Sequence, residues 1–339
     1  MATIRQIAHE AGVSVGTVSN VLNKYEHVSD GARKRVLEVI EKYNYYPSAI
    51  AQSLSTRKTR TLGLIISLNP TPFYTDLAQG AVEAARAVGS SLMVDAVDYD
   101  TRDLLQQVQS LVRQWVDGIF IATQPIGESW LNQIPPLNIP LVIMDRGQIP
   151  SNQKVGMIGF DWQAGAYAAT RHLIDLGHHR IGYVGGIPGR SSSTLRERGY
   201  INALLDAGFP YDPTLVREGD FFTESGYRHA RELLSMPERP TALFMANDLM
   251  ALGAYQAAPE LGLHIPDDLS IVGVDNVFFT SYLSPPLTTV NIPTKEAGRM
   301  GIRMLLEPAE NCEPIQRVIL PTRLVVRHST TRLSKMEVL

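Results

Sequence analysis

A single cysteine, Cys312, stands in a chain of 339 residues. It leaves no internal disulfide framework, which excludes stapled secreted scaffolds and fits a reducing compartment. No apolar run approaches the roughly 20 residues of a membrane span. The start, MATIRQIAHE, lacks the apolar core of a signal peptide. Aromatic residues make up only 7% and the formal charge is only −3, so no strong field of one sign marks the whole chain. The expectation is a soluble cytoplasmic protein with no membrane partner. What is present is ordinary globular material, 44% apolar and 19% charged. One core is usually exceeded at this length, so two or three domains are expected.

The near balance of charge hides an asymmetry. Residues 1–60 hold nine Lys/Arg against five acids, a net +4, and the total of −3 leaves −7 on the rest. A basic head on an acidic body suits a polyanionic partner, a chance fluctuation in a short window being the alternative. The order of residues in the head favours the first. Thr3 and Gln6 form a capping box that opens a helix through IRQIAHEA, with Ile4, Ile7, Ala8 and Ala11 on one face and Gly12 ending it. Only GVS separates this helix from the next, VGTVSNVLN, which Ser14 caps. There Val18, Val21 and Leu22 form the buried stripe, leaving Val15, Gly16, Thr17, Ser19 and Asn20 to face outward. A third helix, ARKRVLEVIEKYNY, follows a cap at Ser29 or Asp30 and closes the core with Val36, Val39 and Ile40. This is a helix-turn-helix, whose second helix fits the major groove of double-stranded DNA. A three-helix module docking on protein is the alternative, and the charge favours DNA.

The stretch PSAIAQSLSTRKTRT, residues 47–61, follows the head. Pro47 and Ser48 signal a helix start, but the segment is too short to be a stable helix alone. It carries Ala51 and Leu54 and then Arg57, Lys58 and Arg60. An exposed leucine on a marginal helix, flanked by cations, suits wedging a base step while the cations hold phosphates. A helix that folds only on DNA can be switched. A plain linker with an incidental leucine is the alternative.

TIRQIAHEAGVSVGTVSNVLN, continued by VSDGARKRVLEVIEKYNYYPSAIAQSL, resembles the N-terminus of the lac repressor/galactose repressor (LacI/GalR) family of bacterial transcription regulators. The match is nearly continuous over the first 60 residues. It implies a DNA-binding domain at 1–46, a hinge helix or linker at 47–60 and an effector-binding core at 61–339. Thr3, Ser14, Val15, Gly16, Thr17, Asn20, Ser29, Ala51, Leu54 and Arg57 are the expected DNA-binding residues, Leu54 taking the position that enters the minor groove. Gly16 departs from the family, where a side chain often reads bases. Base readout then falls more on Val15, against a thymine methyl, and on Asn20, which pairs with adenine. The family also implies a homodimer on a palindromic site. The tail after RLVVRHS, TTRLSKMEVL, is too short for the leucine heptads of a tetramer.

Beyond residue 60 the chain alternates strands and helices. LGLIIS, SLMVDAV, GIFIAT, PLVIMD and VGMIGF read as short buried strands, and the alternation resumes with IGYVGG, TALFMAND and LSIVGVDN. The fold expected is an all-α head plus two doubly wound parallel-sheet lobes. Resemblance to periplasmic sugar-binding proteins, which share the family's core fold, implies three crossovers, near 160–161, 290–291 and 320–321. The first lobe then holds about 61–160 and 291–320, the second about 161–290 and 321–339.

Ligands of such sheets bind outside the carboxyl ends of the strands. Those ends carry Asp145, Asn247 and Asp275; Phe73, Tyr74, Phe221 and Phe222 supply flat surfaces, and Arg190, Ser192 and Arg196 lie between IGYVGG and its helix. In the family, positions matching Arg196, Asn247 and Asp275 contact the effector. A structural ion pair is the alternative for Arg196–Asp275, and core packing for Tyr74 and Phe222. Asp248 reads as the cap of the helix LMALGAYQA. The effector expected is a sugar, with a purine as the second reading, because GDFFTESGY with Arg190 and Ser192 resembles the purine repressor's pocket.

An enzyme is the rival class. His9-Glu10 begins a zinc-protease motif, but position 13 is Val. GGIPG lacks the spacing of a dinucleotide or phosphate loop, no serine sits in a nucleophile elbow, and Cys312 has no partner at useful spacing. His178-His179 reads as a helix end and turn rather than a metal site. Neither catalysis, metal nor cofactor is expected.

Overall fold

The computed structural model describes residues 2–22, 25, 27–45, 59–68, 71–97, 101–123, 133–134, 137–144, 155–307 and 317–333. They divide into two compact units, residues 1–60 and 61–339. Among the described residues of the first unit there are three helices: α1 (Ile4–Ala11), α2 (Val15–Leu22) and α3 (Asp30–Lys42). Thr3 caps α1 as the capping box requires, its Oγ1 accepting from Gln6 N at 3.3 Å while Gln6 Oε1 accepts from Thr3 N at 2.8 Å. Gly12 closes α1 with φ at +64°, a conformation glycine adopts without steric cost. Ile7, Ala8, Ala11, Val18, Val21 and Val36 form the small core. Ile4, Leu22, Val39 and Ile40 pack at its edge, half-buried. Arg35 Nε donates to Ala11 O at 3.1 Å, tying α3 to α1.

The second unit holds two six-stranded sheets. Strands β1 (Thr61–Ser67), β2 (Ser91–Val97), β3 (Ile119–Ile121), β4 (Leu141–Met144), β5 (Val155–Phe160) and β11 (Arg317–Leu320) form one, in the order β11-β5-β4-β3-β1-β2. All its pairings are parallel. Strands β6 (Ile181–Val184), β7 (Val216–Arg217), β8 (Ala242–Met245), β9 (Ser270–Asp275), β10 (Thr288–Asn291) and β12 (Arg323–Val325) form the other, in the order β12-β10-β9-β8-β6-β7. Only β12 runs antiparallel there. The apolar alternation explains the layers of the first sheet. Leu62, Leu64, Phe120, Val142 and Ile158 face α4 (Pro72–Ala87) and α10 (Thr294–Leu306), while Ile65, Ile119, Ile121, Ile143 and Met157 face α5 (Thr101–Arg113). The second sheet is covered by α6 (Trp162–Asp175), α7 (Ser191–Asp206), α8 (Thr223–Leu234) and α9 (Asp248–Glu260).

The expected two-lobed parallel fold is the one found. The chain passes from one sheet to the other after Phe160, after Asn291 and after Leu320. Two of these passes are bonded together: Asp161 N donates to Leu320 O at 3.0 Å and Thr322 Oγ1 to Asp161 O at 3.0 Å. One strand differs from expectation. SLMVDAV is an edge strand with most residues partly or fully exposed, because it pairs only with β1. Its Val94 is exposed, and Asp95 sits where a central strand would carry an apolar residue.

Candidate functional site

The head presents its polar residues on α2. Ser14 Oγ accepts from Thr17 N at 3.0 Å and lies 2.9 Å from Thr17 Oγ1, which holds the start of the helix. Val15, Gly16 and Asn20 are exposed on that helix, and Thr17 is half-buried. An exposed helix start carrying small and polar side chains offers free edges for hydrogen bonds and methyl contacts. Thr3 and Ser29 are exposed at the starts of α1 and α3; Ser29 occupies the N-cap position without a side-chain cap bond. Ala51, Leu54, Arg57 and Asp145 lie outside the described residues.

In the second sheet, β6 has β7 on one side and β8 on the other, so the strand order reverses between β6 and β8, the place where such sheets bind their ligands. The residues after these strands meet there. Arg190 is the N-cap residue of α7, Ser192 is in its first turn and Arg196 in its second. The helix thus begins earlier than the sequence suggested, and Arg196 is a helical residue. Arg196 is 4% exposed. Its Nη1 donates to Ser192 O at 3.3 Å, and its Nη2 lies 3.9 Å from Asp275 Oδ1. Its Nε has no hydrogen-bond partner, and neither have the buried hydroxyls of Ser193 and Tyr183. Such groups are costly to leave unmade.

Asp275 ends β9 with a left-handed φ of +113°. Burial pushes its carboxyl up to about 7, with Arg196 pulling the other way. Asp248 lies beneath, fully buried, its Oδ2 accepting from Val277 N at 2.9 Å and its Oδ1 from Thr289 Oγ1 at 2.6 Å. Burial and then the Asp275 charge hold it well above the usual carboxylate range. Burial acts on both acids and the charge of Asp275 on Asp248 as well, so neither ionises as a surface carboxylate does.

Aromatic rings wall this crevice. Phe221, at φ +72°, is buried with its ring centroid 5.4 Å from Arg196 Cζ. Asn247 holds it there, Nδ2 donating to Phe221 O at 2.9 Å. Asn247 also caps α9, its Oδ1 accepting from Met250 N at 2.9 Å. The cap is therefore Asn247 rather than Asp248, which a one-residue shift along the helix start explains. With both side-chain groups engaged, Asn247 positions Phe221 in this structure. Phe222 is exposed; Phe73 and Tyr74, in the first turn of α4, are half-buried with ring centroids 5.1 Å apart. The structure thus brings Arg190, Ser192, Arg196, Phe221, Asn247 and Asp275 to one end of the second sheet. Phe73 and Tyr74 come from the first.

Trp162 was missed from the sequence. Its ring lies 3.8 Å from Arg196 Cζ and 6.4 Å from the Phe73 ring, nearly parallel at 30°. Thr123, at the end of β3, was missed as well, and its buried hydroxyl has no partner. His178 proves to be more than a turn residue. It is buried, with Nδ1 2.9 Å from Thr241 Oγ1 and Nε2 3.1 Å from Thr331 O, fastening the last described residues to the second lobe. Burial lowers its pKa. Among the described residues, no three His, Cys, Asp or Glu side chains are grouped to hold a metal, and no helix is long and apolar enough to cross a membrane.

A helix-turn-helix head joined to a two-lobed α/β core with an aromatic-walled polar crevice defines a class: DNA-binding regulators with a periplasmic-binding-protein-like core. Comparison with known proteins narrows it. Residues 3–48 match the model of the bacterial regulatory proteins of the lacI family, and residues 170–330 match a periplasmic binding protein-like domain. The chain is 35% identical over 335 residues to the HTH-type transcriptional repressor PurR of Aliivibrio salmonicida (strain LFI1238), covering 98% of this chain and 100% of that protein. The lac repressor dimer bound to operator and the anti-inducer ONPF matches with a TM-score of 0.87 at 29% identity, covering 97% and 99% of the two chains. The complex of the transcriptional regulator CelR with cellobiose matches with a TM-score of 0.73 at 32% identity, covering 97% and 100%. The chain belongs to the lacI family of bacterial regulatory proteins and is a DNA-binding transcriptional repressor.

Proposed function

We propose that this repressor acts in the cytoplasm as a homodimer on a palindromic operator and is switched by a small polar ring compound bound in the crevice between the lobes. Carrying no catalytic duty, the core serves as a sensor. The observation behind the sensor reading is the buried Arg196–Asp275 pair. At 3.9 Å it is too long for a hydrogen bond, and the Arg196 Nε has no partner. A pair kept only for stability would close that gap, whereas a ligand's hydroxyl or ring nitrogen bridges it. Thr3, Ser14, Val15, Gly16, Thr17, Asn20 and Ser29 with Ala51, Leu54 and Arg57 form the DNA-contacting set, and Asp145 belongs to the effector-contacting set.

A sugar remains the first reading of the effector, and CelR, a structural neighbour, is complexed with cellobiose. One observation favours the second reading, a purine or related planar base. Trp162 covers a face of the Arg196 guanidinium and Phe221 stands close to it, so Arg196 offers its donor edge between flat aromatic surfaces. A planar heterocycle fits such a slot edge-on to the guanidinium and flat against the rings. Thermal melting with hypoxanthine, guanine, glucose and cellobiose tests this, because a ligand of the folded state raises the melting temperature by mass action. Binding of one class alone is expected, glucose or cellobiose on the first reading and a purine on the second, and it should vanish in the protein carrying both Arg196→Ala and Asp275→Ala. A full response in that double variant would place the effector elsewhere.

A further inference from the structure

Trp162 stands where the chain first leaves one sheet for the other. It is the first residue of α6, directly after Asp161, whose Oδ1 accepts from Ala164 N at 3.3 Å and whose backbone is bonded to Leu320 and Thr322 of the third pass. Its backbone is thus fixed at the junction of the lobes, while its half-buried side chain touches both. On the first lobe it stacks on Phe73 of α4 at 6.4 Å and meets the edge of Phe160 at 5.1 Å. On the second it lies 3.8 Å from the Cζ of Arg196 on α7. Phe73, Trp162 and Arg196 therefore form one contiguous series, ring to ring to cation, running from one lobe to the other.

We propose that Trp162 is the positioning residue that couples the effector crevice to the arrangement of the lobes. The inference rests on the reading of Arg196 as an effector contact. A guanidinium lying on an indole face is held by the electrostatic attraction between the cation and the ring quadrupole, and that attraction is strong where water is excluded. The Arg196 guanidinium has two competing claims on it: the Trp162 face and the carboxyl of Asp275, which it reaches only loosely. A ligand that joins Arg196 to Asp275 draws the guanidinium along the indole. Because Trp162 is fixed at its backbone, the ring answers by tilting, and Phe73 with the start of α4 follows. The series has two arrangements, one set by the Trp162–Arg196 stack and one by the ligand, which is what a coupling element needs.

Coupling is reciprocal, so whatever the crevice does to DNA binding, DNA binding does to the crevice. The test therefore needs no knowledge of the effector. In the full-length protein carrying Trp115→Phe and Trp130→Phe, Trp162 is the single tryptophan. Its emission is followed while DNA from the gene's own upstream region is added, with a scrambled duplex as control and a mobility shift run in parallel. The upstream duplex, and not the scrambled one, should change the Trp162 emission. In the natural sequence, Trp162→Ala should change operator affinity at least about 10-fold, which is ~1.4 kcal/mol of coupling. Trp162→Phe, which keeps a ring under the guanidinium, should stay within about 2-fold. A double-mutant melting cycle of Trp162→Ala with Arg196→Ala should be non-additive. A merely structural tryptophan would lower the melting temperature and leave the operator affinity of the folded protein unmoved. A mobility shift without any change in emission, or wild-type affinity in Trp162→Ala, overturns the coupling and leaves the repressor reading standing. No shift with upstream DNA defeats the repressor reading, and the coupling with it.

Discussion

Asp275 and Asp248 are neighbours in space with opposite surroundings, and the difference has a measurable consequence. Asp248 is satisfied by a backbone N–H and a hydroxyl, while Asp275 has a guanidinium no closer than 3.9 Å and the Asp248 carboxyl as a neighbour. A free aspartate titrates near 3.9, and burial pushes Asp275 up to about 7. Between those values the folded core holds a proton that the unfolded chain has released. Rising pH across that window therefore favours unfolding through this group, and the effect levels off above about 7. The melting temperature of the wild type relative to Asp275→Asn should fall from pH 5 to pH 7.5 and then hold steady. A difference independent of pH would mean that Asp275 ionises as an ordinary surface acid. Residues at this scale were unevenly legible. Arg196, Asp275 and Phe221 stand out in the sequence because they follow the carboxyl ends of strands, where ligands of such sheets bind. The choice between Asn247 and Asp248 as cap was not legible, since both cap well and a shift of one residue leaves the apolar pattern intact. Trp162 was hidden because an aromatic residue beside a buried strand also reads as ordinary core.

The packed helix pairs depend on glycine at their crossings. A Cβ on Gly298 of α10 would overlap Leu77 O of α4, and one on Gly80 of α4 would overlap Lys295 O. The pair α8–α9 repeats the device with Gly226 against Met250 and Gly253 against Thr223 O. The obstructing atoms are backbone, so no rotamer change relieves them. Gly298→Ala should therefore destabilise the core by about 1–3 kcal/mol despite its better helix propensity, read as a lower melting temperature with operator contacts untouched. An unchanged melting temperature would show that the two helices separate freely. Elements with strong periodicity or caps, such as α1 and the buried β1, were visible in the sequence. The strands β7, β11 and β12 were not, for they are short, carry arginine and lack the fully buried apolar run of β3, β4, β6 and β8, and β10 was not, being half threonine.

The two units differ greatly in the core each can build. Six buried residues centre the head, whereas the second unit has cores on both faces of its first sheet. Small domains bury a smaller fraction of their surface, so the head should be the less stable part. Residues 61–339 expressed alone should melt in one cooperative transition and keep the ligand response, while losing all operator binding. Amide exchange in the full chain should be fastest through the head. Loss of cooperative melting in the shortened protein would mean that the core needs the head to fold.

The triple passage between sheets also dictates what a ribosome must wait for. Strand β5 ends at Phe160, yet its neighbour β11 ends at Leu320, and α10, which covers one face of the first sheet, spans Thr294–Leu306. At about 5–20 residues per second, roughly 8–30 s of synthesis separate β5 from its partner. Throughout that interval the nascent chain carries an unpaired strand edge and an uncovered apolar face. Neither lobe can be completed before β11 and β12 have been made, so the two mature together, under whatever protection the cell gives to unfinished sheets.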